Sequence, residues 1–190
     1  MITITGVDVT REHGAPSLYD IGYSLSQLPR FAGHTTRLWT VLNHVYACSF
    51  YAALMKESTL TQLYALLHDA DESITNDIPQ PWKTDETRDL QTMLRNRIYA
   101  ELKLSIPSLQ TDRIVHQIDN QMAYSEARLF APQVADAILK PGPNYRDGIK
   151  RVDPIANEAI TKSDDWLYGF SAMDAAFDFE AFVEALMEKV

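Results

Sequence analysis

The chain has 190 residues, a formal net charge of −9, 46% hydrophobic and 23% charged residues. That length suits one domain that can bury a core without covalent staples. The acidic balance excludes a general nucleic-acid-polymer or membrane-surface binder, which needs a basic footprint, but is compatible with a small anionic substrate if a metal or a few placed Arg and Lys reverse the local field.

Cys48 is the single cysteine, which excludes a disulfide framework and a Cys-based zinc site. Inside an apolar stretch it reads as a small buried hydrophobe. No segment approaches the ~18 apolar residues of a membrane span. The opening MITITGVDVTREHG has neither a basic leader nor a long apolar run, so the cytoplasm is the expected location.

Alternation at Ile2, Ile4, Val7 and Val9 predicts a short strand or hairpin arm. Ser17 then caps a helix to Leu28, carried by Leu18, Ile21, Leu25 and Leu28 and stopped by Pro29. After the loop RFAGHT, residues 36–56 are apolar on nearly every face, so this helix is central and buried, and it carries His44. Ser58 or Thr59 caps the next helix, whose Leu60, Leu63, Tyr64 and Leu67 lead to His68 and Asp69. One further turn would put Glu72 on the same face as these two.

Thr84–Leu104 reads as an amphipathic helix with Arg88, Arg95 and Arg97 on a solvated face, and Thr111–Phe130 as another, with Asp119 near its middle. A shorter helix is expected over Gln133–Leu139, a loop at residues 140–144, irregular structure to Asp165, and a final helix over Phe170–Val190. The expectation is an all-α domain over residues 1–190, of about six helices with a short extended N-terminal arm.

The stretch HDADESITNDIPQPWK, His68–Lys83, gathers a His and four carboxylates, Asp69, Asp71, Glu72 and Asp77. Such groups repel one another and raise each other's pKa unless a cation compensates them. The plainer reading is a solvated helix end and a Pro-rich turn. Taken singly, His44 and His68 are satisfied core residues and Asp69 and Asp119 half-exposed ones. Together, on three successive buried helices, they offer two imidazoles and two carboxylates, suited to a divalent ion such as Mn, Co, Zn, Mg or Fe.

The order His44, His68-Asp69, Asp119 resembles the H…HD…D pattern of the HD-domain phosphohydrolase superfamily. It is most similar to the small bacterial 5′-deoxynucleotidases and related phage dATP triphosphohydrolases, whose segment reads roughly HDASEVLTGDLPTPVK. The likeness extends to Arg30-Phe31, to RFAGHT and to VHQIDNQMAYSEAR around Asp119, and covers about Asp20 to Arg128.

The resemblance implies an HD-domain helical bundle with its core at about residues 17–131. It also implies a metal-dependent phosphohydrolase acting at the α-phosphoester of a deoxynucleoside 5′-phosphate or, alternatively, a dNTP triphosphohydrolase; a non-catalytic nucleotide-binding module is a more distant alternative. His44, His68, Asp69 and Asp119 become the ligands of one divalent ion. Glu72 becomes the acid/base beside the attacking water. Asp77 sits near the substrate and assists at the leaving oxygen.

By the same likeness Arg30 binds phosphate, Phe31 packs on sugar or base, and Lys83 either adds a phosphate contact or is a surface lysine. His34 either touches phosphate or braces its loop. Asn43 stands where relatives carry Glu, and His116 where they often carry Lys. Relatives self-associate, so a homo-oligomer is expected, located in the host cytoplasm if phage-encoded.

Overall fold

The computed structural model describes residues 1–11, 14–133, 135 and 153–190. Among these residues all regular structure is helical. Of the short strand or hairpin arm expected at the N-terminus, the structure has the arm: one antiparallel bridge, Ile2 to Asp8, closed over a turn by Thr3 N–H to Val7 O at 2.9 Å.

Helix α1 (Leu18–Leu25) starts as its sequence predicts, because Ser17 and Asp20 exchange side-chain bonds with each other's backbone. Asp20 also accepts from Thr5, through the backbone N–H at 3.0 Å and the hydroxyl at 2.7 Å, and so ties the N-terminal arm to this helix.

Helix α2 (Val41–Leu54) starts five residues later than the pattern suggests. Thr40 and Asn43 form a capping box, and Arg30 N–H to Trp39 O (2.8 Å) and Val41 N–H to Leu28 O (2.9 Å) close residues 30–39 into a loop. Asn43 therefore has a structural duty of its own. As its apolar surround demands, α2 is central: Val41, Val45, Tyr46, Ala47, Cys48 and Ala52 are all fully buried. Helix α3 (Thr59–Leu67) is capped by Ser58 and packs on α2.

The chain then breaks at His68, so the expected extra turn is absent and the short α4 (Glu72–Thr75) begins anew. Two long helices follow, α5 (Asp85–Glu101) and α6 (Leu109–Phe130), the latter packed on α2 and α3. The loop expected at 140–144, residues 145–152 and most of the helix expected over 133–139 lie outside the described residues.

The expectation for the segment after the loop is overturned. Residues 154–165, expected to be irregular, belong to helix α7 (Pro154–Leu167). Its buried face is Ala156, Ala159, Ile160 and Ser163, too small and polar to show an apolar stripe. The last helix, α8 (Ala172–Met187), packs along α1, where Gly22 allows the approach: a Cβ there would lie 2.8 Å from the Phe179 Cβ.

Helices α7 and α8 join the same apolar core as α2 and α3. They also hold the phenols of α2: Tyr46 donates to Asp178 and Tyr51 to Asp153, each at 2.6 Å. No helix among the described residues is long and apolar enough to cross a membrane.

Candidate metal centre

Three helices bring the predicted groups to one point. His44 comes from the second turn of α2, His68 caps α3 with Asp69 next to it, and Asp119 lies midway along α6. The two imidazoles meet through Nε2 at 3.3 Å. Asp119 Oδ1 is 3.3 Å from His44 Nε2 and 3.8 Å from His68 Nε2, and Asp69 Oδ2 is 3.7 and 3.3 Å from the same atoms.

The far side of each ring is tied down. His68 Nδ1–H donates to the Ala65 carbonyl at 2.8 Å, and His44 Nδ1 lies 2.8 Å from Glu126 Oε1. Those bonds fix the tautomer and direct both Nε2 atoms at the shared point.

Cys48, one turn after His44, is also here. His44, Cys48 and His68 form a buried group whose ligating atoms lie within 4.8 Å of one another, a spacing that could hold a metal ion. The reading of Cys48 as a hydrophobe alone is thereby corrected: it is fully buried, yet its sulfur is 3.5 Å from His44 Nε2 and 3.9 Å from Nδ1. The spacing i, i+4 from a site histidine on one helix was the available signal.

Charges in this cluster compensate one another. Burial pushes the Asp69 and Asp119 carboxyls up, but His68 and His44 pull harder, and both sit well below the usual carboxylate range. Burial lowers each imidazole in turn. At His44 Cys48, Glu126 and Asp119 outweigh burial and Arg30, and at His68 Asp69 and Asp119 do so, so both rings lie well above their ordinary value. Two facing imidazole nitrogens and two carboxylates at this spacing call for positive charge between them, whether protons or a metal ion.

Arg30 reaches the centre from the loop. It is buried, with Nε 3.0 Å from Glu126 Oε2 and Nη1 3.7 Å from Asp69 Oδ2. Burial opposes its charge, but Glu126, Asp77, Asp69 and Asp119 raise its pKa further. Its placement depends on a left-handed turn: Phe31, Ala32 and Gly33 have φ of 55°, 51° and 76°, a conformation that costs non-glycine residues energy. The Phe31 ring centroid is 5.5 Å from the guanidinium carbon. His34 is exposed, and its backbone N–H donates to Phe31 O, bracing the turn.

Glu72 is 3% exposed; Lys83 Nζ lies 3.5 Å from Oε1, while Oε2 has no hydrogen-bond partner. Burial, then Asp69 and Asp77, drive its carboxyl well above the usual range against Lys83 and Arg30. Asp77 is half-buried and acts on this cluster through its charge on Arg30 and Glu72. Lys83, at 18% side-chain exposure, is not a surface lysine.

Asp71 is likewise not solvated. It is 2% exposed, and burial pushes its carboxyl up to about 6 against the Arg95 charge. Arg95, expected on a solvated face, donates to the His68 carbonyl at 2.6 Å and lies 3.7 Å from Asp71 Oδ1. His116 is exposed. Glu126, fully buried, escapes sequence reading, although its position seven residues after Asp119 puts it on the same face of α6.

No family model matches the sequence. A protein of Escherichia coli (strain K12) named uncharacterized protein YfdR is 41% identical over 64 residues, which cover 34% of this chain and 33% of that protein. The matched segment therefore spans about a third of the relative's length.

Proposed function

We propose that the chain is a metal-dependent phosphohydrolase of the HD-domain kind that hydrolyses the α-phosphoester of a deoxynucleoside 5′-phosphate. The observation carrying this reading is the convergence of two imidazole Nε2 atoms and two carboxylates within 3.8 Å, with a buried arginine 3.7 Å from one of them. The donor set is of nitrogen and oxygen, which suits Mn, Co, Zn, Mg or Fe.

Cys48 is the weaker candidate ligand. A sulfur nearly as close to Nδ1 as to Nε2 lies beside the ring rather than ahead of the Nε2 lone pair. Asp69 and Asp119 therefore complete the set with His44 and His68. A divalent ion held by His44, His68, Asp69 and Asp119 would supply Lewis acidity toward a phosphate oxygen and would acidify a bound water.

The remaining work falls to the chain itself. Arg30 offers the part of its donor fork not committed to Glu126 to the phosphate, neutralising charge as the bond breaks. Glu72, with a raised pKa and an uncommitted Oε2, accepts or relays the proton of the water. Asp77 assists at the leaving 5′-oxygen, and Phe31 packs on sugar or base. Lys83 holds Glu72 in place and adds positive charge toward the phosphate.

The test is incubation with dAMP, dATP and their ribose counterparts in the presence of Co2+ or Mn2+, with release of phosphate and triphosphate measured. Metal-dependent phosphate release from dAMP, abolished by chelation, is expected. Consumption of dATP alone would transfer the site to a dNTP triphosphohydrolase. Absence of both metal uptake and turnover would overturn the reading.

A further inference from the structure

We propose that Glu126 is a positioning residue that orients the metal-binding and phosphate-binding arms of the centre together, through His44 and Arg30. The inference rests on the reading above and adds to it a residue that touches neither substrate nor metal.

Glu126 is fully buried, and its two oxygens divide between two partners: Oε1 lies 2.8 Å from His44 Nδ1 and Oε2 3.0 Å from Arg30 Nε. A carboxylate withdrawn from water this completely is stable only when its partners are well placed. Contact with Nδ1 fixes the tautomer of His44 and turns Nε2 toward Asp119, 3.3 Å away. Oε2 and Nε meet as an ion pair at 3.0 Å without hydrogen-bond alignment, which holds the guanidinium beside α6 by charge. Nη1 then stays 3.7 Å from Asp69 Oδ2, paired with it by charge but beyond hydrogen-bond length.

Helix α6 thus carries both Asp119 and the group that aims Asp119's neighbour. A side chain that only filled space would need neither partner. One that supplied charge alone could be replaced by a shorter acid.

The experiment measures binding rather than turnover, with Co2+ alone and then inorganic phosphate on the Co2+-saturated chain, in wild type, Glu126→Gln and Glu126→Asp. Both variants are expected to lose about 10–100-fold in Co2+ affinity, the range for disrupting an outer-sphere partner of a metal-bound histidine. Both are also expected to weaken phosphate binding by about tenfold or more and to shift the visible Co2+ spectrum. Glu126→Asp keeps the charge but is one methylene too short to span both partners, so it carries the test if Glu126→Gln does not fold.

Wild-type Co2+ and phosphate affinities in Glu126→Asp, or loss of only one of the two, would overturn the proposal and leave the phosphohydrolase reading standing. A wild-type chain that takes up neither Co2+ nor phosphate would overturn both.

Discussion

Asp69 and Glu72 are three residues apart, yet their carboxyls are driven in opposite directions. Asp69 is held well below the usual range by the imidazoles of His68 and His44 despite burial, while Glu72 is driven well above it by burial and by Asp69 itself. Environments that push two carboxyls apart in this way divide charge-holding from proton-handling. Asp69→Ala is therefore expected to abolish Co2+ binding and turnover together, and Glu72→Ala to abolish turnover while Co2+ still binds. Calorimetric Co2+ titration alongside phosphate release separates the two. A fully active Glu72→Ala chain would remove Glu72 from its role.

Cys48→Ala distinguishes the two possible donor sets. With His44, His68, Asp69 and Asp119 as ligands, the variant keeps Co2+ affinity within a few-fold. It should lose on the order of 1 kcal/mol of stability from the buried sulfur. Loss of Co2+ binding would make the thiol a ligand instead.

Ala32 has φ of 51°, where a Cβ costs about 1–2 kcal/mol. Ala32→Gly is expected to raise the denaturation midpoint or leave it unchanged, by up to about 1 kcal/mol, the reverse of the usual effect of Ala→Gly. A clear destabilisation in urea would show that the left-handed turn carries no strain.

Asp20 is buried and bonded to Thr5 and Ser17. Burial raises its pKa, but these hydrogen bonds together hold it below the ordinary value. A depressed folded-state pKa means that its contribution is complete above the unfolded value of about 3.9 and is lost as pH falls through the folded value. Asp20→Ala should cost about 1–2 kcal/mol at pH 7, and the difference from wild type should shrink below about pH 3.9. Urea melts at pH 7 and pH 3 measure it. An unchanged difference would place the stabilisation elsewhere.

Gly22→Ala sets a methyl against Phe179 at a contact of 2.8 Å. The expected cost is about 1–3 kcal/mol, read from the thermal midpoint, because α1 and α8 must part to admit it. Were the variant as stable as wild type, the helices would have room that the backbone does not show.

The groups legible in the sequence are those whose types are odd for their setting. A His on an apolar helix and an HD pair closing another are visible without coordinates, and the all-helical architecture follows from periodicity. Glu126 was hidden because a Glu in a polar-looking helix reads as solvated; only the tertiary fold supplies His44 and Arg30 as its partners. The burial of Asp71 and the inward reach of Arg95 are hidden for the same reason: each looks exposed until the other is packed on it. Helix α7 was missed because its buried side is mostly alanine and serine, although Asp153 as cap and Pro154 in the first turn mark its start.

The break after Leu67 has one more effect. Because α3 ends at the His68 cap, its aligned peptide dipoles leave about half a negative charge at that end, and the donor atoms of the centre begin there. A cation held there would feel that main-chain field in addition to the side chains. At about 0.3–1 kcal/mol that field is too weak to hold Co2+ by itself, so a variant stripped of a ligand, Asp69→Ala included, should still read as a loss of binding.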